Sequence, residues 1–243
     1  EFLSGGGVIT SLEAFKAIPS YLFGYWISND MIKVFRTGTR LGEIADSKQG
    51  IATADNNRFL REWFEVAYER IFFNATDYIQ AMYTGIKWFP YNKGGDYRKW
   101  YGNNDYIINY EKNGKELKES GKAVIRNPQF QFQRSFTWSL ISSSVAAFRY
   151  KPNGHLFDVA GMSCFSEKHL YYLMAFCNSI VSTRLLKVIA PTLNYQCGDI
   201  ANLPIFIEQE SRVNEYVEKN IEVTKDDWDS FEISWDFKKH PLI

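Results

Sequence analysis

Residues 87–104, KWFPYNKGGDYRKWYGNN, set four cations (Lys87, Lys93, Arg98, Lys99) and one acid (Asp96) among six aromatics. The aromatics are Trp88, Phe89, Tyr91, Tyr97, Trp100 and Tyr101, and Gly94-Gly95 divides the stretch. Residues 86–91 read as a strand and 92–104 as a long loop. Such a composition suits a surface that holds phosphates while offering flat faces and forked donors. The glycine pair adds to this, because glycine allows close backbone approach and exposes its N–H. The competing reading is structural: aromatics fill cores and rims, and a cationic loop is usually only solvated.

Working outward, residues 105–110 alternate as a strand, and Asn113-Gly114 is a hairpin signal followed by a charged turn at 115–122. From 123 to 163 the chain is rich in strand patterns, at 125–132, 136–141, 146–150 and 155–159. Arg149 falls within one of them and reads as half of a structural salt bridge. A helical pattern spans 167–189, capped by Ser166, with a bend expected at Asn178-Ser179. Upstream, a short helix is expected over 12–18 before Pro19. A second follows the Ser28-Asn29-Asp30 cap, with its apolar face at Met31, Ile32, Val34 and Phe35 and its stop at Gly38. Residues 41–44 read as a short strand. Thr53, Asp55, Asn56, Asn57 and Arg58 form a polar cluster on a loop, and 59–66 reads as a buried strand or short helix. Thr76 is placed to cap a helix that Gly85 closes. The expected fold class is α+β: a mixed sheet from 87–165, packed by the 167–189 helix and flanked by N-terminal helices, with a C-terminal helical extension. Residues 1–10 read as boundary residues, 11–205 as one domain, and 206–243 as the start of a truncated extension.

The 243 residues carry 28 bases and 28 acids, but the balance is uneven. Beyond residue 204, ten acids face five bases, so the preceding body is positive. A mildly basic body is compatible with nucleic acid. No run of 18 apolar residues exists, and the first ten residues lack a signal-peptide pattern, so no membrane partner is expected. Cys164, Cys177 and Cys197 are odd in number and widely spaced, which argues against a disulfide framework and fits a reducing cytoplasm. His155, His169 and His240 include no pair at zinc-ligand spacing, so no metal site is expected.

No catalytic residue is assigned. Asn127-Pro128-Gln129-Phe130 approaches the Asn-Pro-Pro-aromatic loop of amino-methyltransferases, but Gln129 replaces the second proline and no Gly-rich cofactor turn precedes it. A strand is the better reading there. The serines 139 and 142–144 lack the glycines of a nucleophile elbow, and no phosphate-binding Walker loop exists.

The order of motifs is specific. AIPSYLFGYWIS (17–28), LGEIADSKQGIATADNNRFLREWFEV (41–66), KWFPYNKGGDYRKWYGNNDYIINY (87–110), FTWSLISS (136–143), FRYKPNGHLFDVAGMSCF (148–165), PTLNYQCGDIANLPI (191–205) and DDWDSFEISWDFKKHPLI (226–243) cover most of the chain. In that order they resemble the C-terminal target-recognition region of BREX phage-exclusion (Pgl-type) adenine-specific DNA methyltransferases, relatives of the TaqI-class and type IIG restriction-modification enzymes. The resemblance implies a module that clamps and reads double-stranded DNA in phage defence for an N6-adenine methyltransferase. The S-adenosylmethionine site and Asn-Pro-Pro-Tyr loop of such an enzyme would lie in a catalytic domain in cis, outside this chain. Other phage-defence subunits are potential partners.

On that basis Lys87, Lys93, Arg98 and Lys99 are expected on phosphates, with Gly94 and Gly95 beside them. Tyr91, Trp100 and Tyr101 would pack on sugar or brace the loop. Asn56, Arg58, Asn92 and Asn103, with Thr53, are candidates for base edges. Reader residues vary between relatives with different targets, so the shared motifs suit a clamp, and a variable reader is expected in 111–135 or the loops between the later strands. A protein-docking module and a complete enzyme are the alternatives.

Overall fold

The computed structural model describes residues 27–141, 145–240 and 242–243. The expected 12–18 helix and the serines 142–144 lie outside the described residues. The strands are β1 (Thr39–Arg40), β2 (Asp46–Lys48), β3 (Leu60–Glu62), β4 (Trp88–Asn92), β5 (Tyr106–Asn109), β6 (Ser135–Thr137), β7 (Arg149–Lys151), β8 (Leu156–Phe157), β9 (Ser163–Phe165) and β10 (Pro204–Ile205). The helices are α1 (Asn29–Thr37), α2 (Asn56–Phe59), α3 (Tyr78–Tyr83), α4 (Glu111–Glu119), α5 (Leu170–Cys177), α6 (Ile180–Ile189), α7 (Cys197–Ala201) and α8 (Glu210–Asp229). The α+β expectation holds. The strands of the 87–165 region divide between two sheets, of orders β2-β9-β6-β7 and β3-β5-β4-β8, while β1 pairs with β10.

The β2-β9-β6-β7 sheet is antiparallel throughout. Its face carries Phe136, Trp138 and Cys164 into a core with Leu173, Met174, Leu185 and Leu186 of α5 and α6. In the other sheet β4 pairs antiparallel with β5 and parallel with β8. Its core gathers Phe89, Tyr91, Ile108, Tyr110, Leu117 and Phe132. Asn92 joins the sheets: its Nδ2 donates to Thr137 Oγ1 and to Gly161 O (2.8 Å).

Helix α1 forms as the cap signal predicts. Ser28 Oγ accepts from the Met31 N–H, and the Gly38 N–H donates to Val34 O at 3.0 Å. Residues 41–44 do not form the expected strand. Leu41 is buried in a 3-10 turn, its N–H on Leu203 O (2.9 Å). Asn113-Gly114 makes no hairpin. Lys112, Asn113 and Gly114 take left-handed dihedrals that lead into the last turns of α4, where the buried Leu117 anchors what was expected to be a charged loop. Residues 125–132 are not a strand. Asn127 is left-handed and Pro128 opens a 3-10 turn, since proline offers no ladder donor.

The bend expected in the 167–189 helix separates α5 from α6 by 73°. Asn178 causes it by pairing both side-chain ends with Phe148, Oδ1 accepting from its N–H (3.0 Å) and Nδ2 donating to its carbonyl (2.9 Å). Ser179 Oγ then caps α6 on the Ser182 N–H at 3.1 Å. Among the described residues no single helix is long and apolar enough to cross a membrane. Helix α8 packs on α5 through the buried Val217. Beyond it, the Trp235 ring lies 5.1 Å from Phe73, and Trp63 Nε1 donates to Ile233 O (2.8 Å), so the 206–243 segment folds back onto the body.

Candidate functional site

The 87–104 stretch is mostly framework. Phe89, Pro90, Tyr91 and Asn92 are all buried, so β4 is covered on both faces. Tyr91 Oη donates to Asp158 Oδ2 (2.5 Å) and Ile51 O (3.0 Å). Burial pushes the Tyr91 hydroxyl and the Asp158 carboxyl up. Asn103 is buried and its Nδ2 donates to Asp96 O (2.9 Å). Tyr101 is buried with its pKa pushed up to about 12 by desolvation. Trp100 is half-buried, and its N–H donates to Phe148 O at 2.9 Å.

The cations of this stretch are largely engaged. Arg98 NH1 meets Asp227 Oδ2 at 2.9 Å, and its guanidinium lies 5.0 Å from the Trp228 ring. Lys99 Nζ donates to Asn178 O at 2.8 Å, on the bend between α5 and α6. Lys93 Nζ sits 4.9 Å from the Tyr106 ring. Lys87, at the other end of β4, is exposed beside the Trp88 ring. The four cations therefore do not converge. Tyr91, Asn92, Gly94, Tyr101 and Asn103 are buried in the protein interior, where Tyr91 and Tyr101 can brace the loop.

The second cluster is also internally braced. Thr53 is buried, with its Oγ1 donating to Asn56 Oδ1. Residues 55–58 are a capped turn of helix rather than a loop, with Asp55 Oδ1 accepting from the Arg58 N–H at 3.1 Å. Arg58 donates to Glu116 Oε1 through Nε (3.0 Å) and NH2 (2.8 Å), and Asn109 Nδ2 donates to Glu116 Oε2 (2.6 Å). The Arg58 hydrogen bonds hold the Glu116 carboxyl below its usual range, with a contribution from the Lys87 charge. Arg58 and Lys87 are thus brought together around one acid, while Asn56 and Asn57 remain exposed.

A broad concavity lies elsewhere. A groove of about 810 Å³ runs between residues 42–46, the 130–134 segment and residues 165–169. Phe130 and Phe165 form its floor with ring centroids 4.8 Å apart, and Lys48 Nζ lies 5.3 Å from the Phe130 ring. Asn127 Nδ2 donates to Gln49 O (2.9 Å), which pins the segment in place. The Arg134 N–H donates to Asn153 Oδ1 (2.7 Å), and its NH2 to Glu167 O (3.2 Å). Arg126, Gln129, Gln133 and Arg134 are exposed along RNPQFQFQR. The region 111–135 contains them; the sequence weighs Asn127–Phe130 only as a methyltransferase-like loop and assigns no residue of the region to DNA. The usable signal is the interleaving of arginine and glutamine with phenylalanines that anchor the segment.

The described residues contain no group of three His, Cys, Asp or Glu side chains poised for a metal ion. The Gly94-Gly95 turn lacks the strand, Gly-rich turn and helix of a Rossmann-type cofactor site. Strand β4 leaves through Gly94-Gly95 into the 96–104 loop, and the next regular element is strand β5.

No family model matches the chain. Two curated proteins match nearly all of it. The chain is 37% identical over 244 residues to "Adenine-specific methyltransferase PglX" of Lacticaseibacillus casei (strain Zhang), an alignment covering 96% of this chain and 20% of that protein. It is 37% identical over 238 residues to "Adenine-specific methyltransferase BrxX" of Escherichia coli O9:H4 (strain HS), covering 94% of this chain and 18% of that protein. The chain spans about a fifth of the length of these relatives. It is homologous to a part of BREX adenine-specific methyltransferases, and the family read from its motifs is borne out.

Proposed function

We propose that this chain is the double-stranded-DNA recognition module of an S-adenosylmethionine-dependent, adenine-specific methyltransferase of phage defence. The observation that carries the reading is the match of almost the whole chain to adenine-specific methyltransferases of which it spans about a fifth. Cofactor binding and methyl transfer then belong to the rest of such an enzyme, in cis, and this chain supplies the grip on the substrate.

The groove edged by the 130–134 segment, together with the exposed Arg126 and Gln129 on the turn leading into it, is the surface we assign to DNA. Arg126 and Arg134 offer forked donors suited to guanine edges, and Gln129 and Gln133 offer amides suited to adenine edges. The exposed Lys87 contributes to the field, whereas Arg98 and Lys99 hold the framework. Anisotropy of a labelled duplex bearing the methylation target tests the assignment. Binding should weaken as salt rises. Arg126→Ala and Arg134→Ala should each cost about 1–3 kcal/mol and relax discrimination at one base pair. Duplex affinity unaltered in both variants would sink the groove assignment.

Docking to another protein is the second reading. It is favoured by Tyr68, Tyr78, Ile79 and Tyr83, all more than half exposed on the 68–83 segment. If it is the whole function, crosslinks to the catalytic portion of the enzyme will map to these residues and no duplex will bind at low salt.

A further inference from the structure

Arg149 on β7 is 1% exposed, yet it makes no ion pair among the described residues. The sequence pattern suggested a salt bridge for it. Its NH1 instead reaches Arg98 O at 3.3 Å and Ala147 O at 3.5 Å, and its NH2 reaches Ser139 Oγ at 3.2 Å. These contacts are long and their acceptors are neutral. Its Nε has no partner among the described residues.

A guanidinium has five donors, and a buried charge without a counterion costs several kcal/mol. Desolvation lowers its pKa to about 10, with the Asp105 charge opposing that shift and Arg98 adding to it. It is still a cation at neutral pH.

The side chain borders a cavity of about 110 Å³ also lined by Gly95, Asp96, Tyr97, Ser139 and Ala147. One water occupies about 30 Å³ of liquid, so the space has room for a small polyatomic group. Ser139 Oγ donates to Gly95 O (2.7 Å), which points its lone pairs toward the guanidinium. Gly95 is exposed beside it with φ +118°. Asp96 and Tyr97 are exposed at the rim, so the Asp96 carboxylate is free to stay in water.

We propose that the Arg149 cavity is an oxyanion site that receives one phosphate group, supplied by the backbone of the nucleic acid bound under the function proposed above. The missing counterion of Arg149 is then furnished by the ligand. This gives Gly95 and Tyr97 a place beside a phosphate, while Arg98 and Lys99 of the same stretch brace the loop that shapes the pocket.

Inorganic phosphate tests the site without DNA. Melting of the chain in phosphate should exceed that in chloride of equal ionic strength by about 3–5 °C at ten times the dissociation constant. In Ser139→Asp the new carboxylate supplies the counterion internally, and the difference should vanish while the melt in chloride rises. Equal melts of the unaltered chain in the two salts overturn the proposal. A duplex then identifies the source. If the phosphate comes from DNA, Ser139→Asp lowers duplex affinity about tenfold and reduces the salt slope by about one. A phosphate effect with unchanged duplex affinity overturns the DNA source and leaves a site for free phosphate. A phosphate effect with no duplex binding at any salt sinks the proposed function but not the pocket.

Discussion

His155 shows how a single buried side chain sets a pH dependence. Its imidazole is buried near Trp235, and desolvation followed by the Lys151 charge lowers its pKa to about 3. An unfolded histidine titrates near 6.5. Between those values the unfolded chain holds a proton that the folded chain does not, so stability falls as pH drops below about 6.5. The slope from this group approaches about 1.4 kcal/mol per pH unit. Urea midpoints measured from pH 7 to pH 4 should show this limb, and His155→Leu should flatten it. An unchanged slope in the variant would show that the imidazole protonates in place. Glu116 adds a second loss of the same sign at lower pH. Its carboxyl is held below 4.5 by Arg58, so its contribution is present above that value and disappears as pH falls through the lowered pKa. The chemistry of such residues was legible in the sequence, but their partners were not. Arg58 is equally suited to a guanine edge and to Glu116, and only the folding of α4 against β5 decides between them.

At the scale of elements, local signals were read well wherever the chain itself supplies the partner. The Ser28 cap, the Gly38 stop and the Asn178-Ser179 bend all depend on groups a few residues away or on one strong side chain. Asn113-Gly114 departs from the hairpin expectation because left-handed readiness says how the chain turns and not which element it enters. Here the buried Leu117 makes the continuation a helix. The join of the 96–104 loop to α8 is of the second kind, invisible until tertiary structure forms. A Cβ on Gly102, φ +118°, would lie 2.4 Å from Arg98 Cδ and 2.9 Å from Trp228 Cε3. Gly102→Ala therefore strains the backbone and displaces the Arg98–Trp228 contact together. We expect a cost of about 2 kcal/mol or more, with faster hydrogen exchange in 210–229. Gly121 is the control: φ is +68° but nothing lies within 4 Å of a Cβ, so Gly121→Ala should cost about 1 kcal/mol with exchange in α8 unchanged. Equal effects in both variants would mean that only the backbone strain matters.

At the scale of the whole molecule, the uneven charge seen in the sequence is partly neutralised by folding. Asp227 meets Arg98 and Glu210 meets His169, so acids of the C-terminal segment lie on the body. Homology and the α+β class were legible because both depend on motif order and patterning. The division into two sheets was not, because the strands are only two to five residues long and their pairings skip across the chain. The same topology bears on the cofactor. A Rossmann-type site needs a parallel strand, a Gly-rich turn and a helix whose N-terminus faces the ligand. Among the named strands of the described residues, β4 and β8 are the parallel pair. The passage between them contains antiparallel strands of both sheets rather than one crossover helix. The Gly94-Gly95 turn opens onto a loop instead of a helix. Calorimetric titration of the 243-residue chain with S-adenosylmethionine should therefore give no heat beyond dilution, while a duplex gives salt-dependent binding. Saturable S-adenosylmethionine binding would place cofactor chemistry in this chain and overturn its assignment as a recognition module alone.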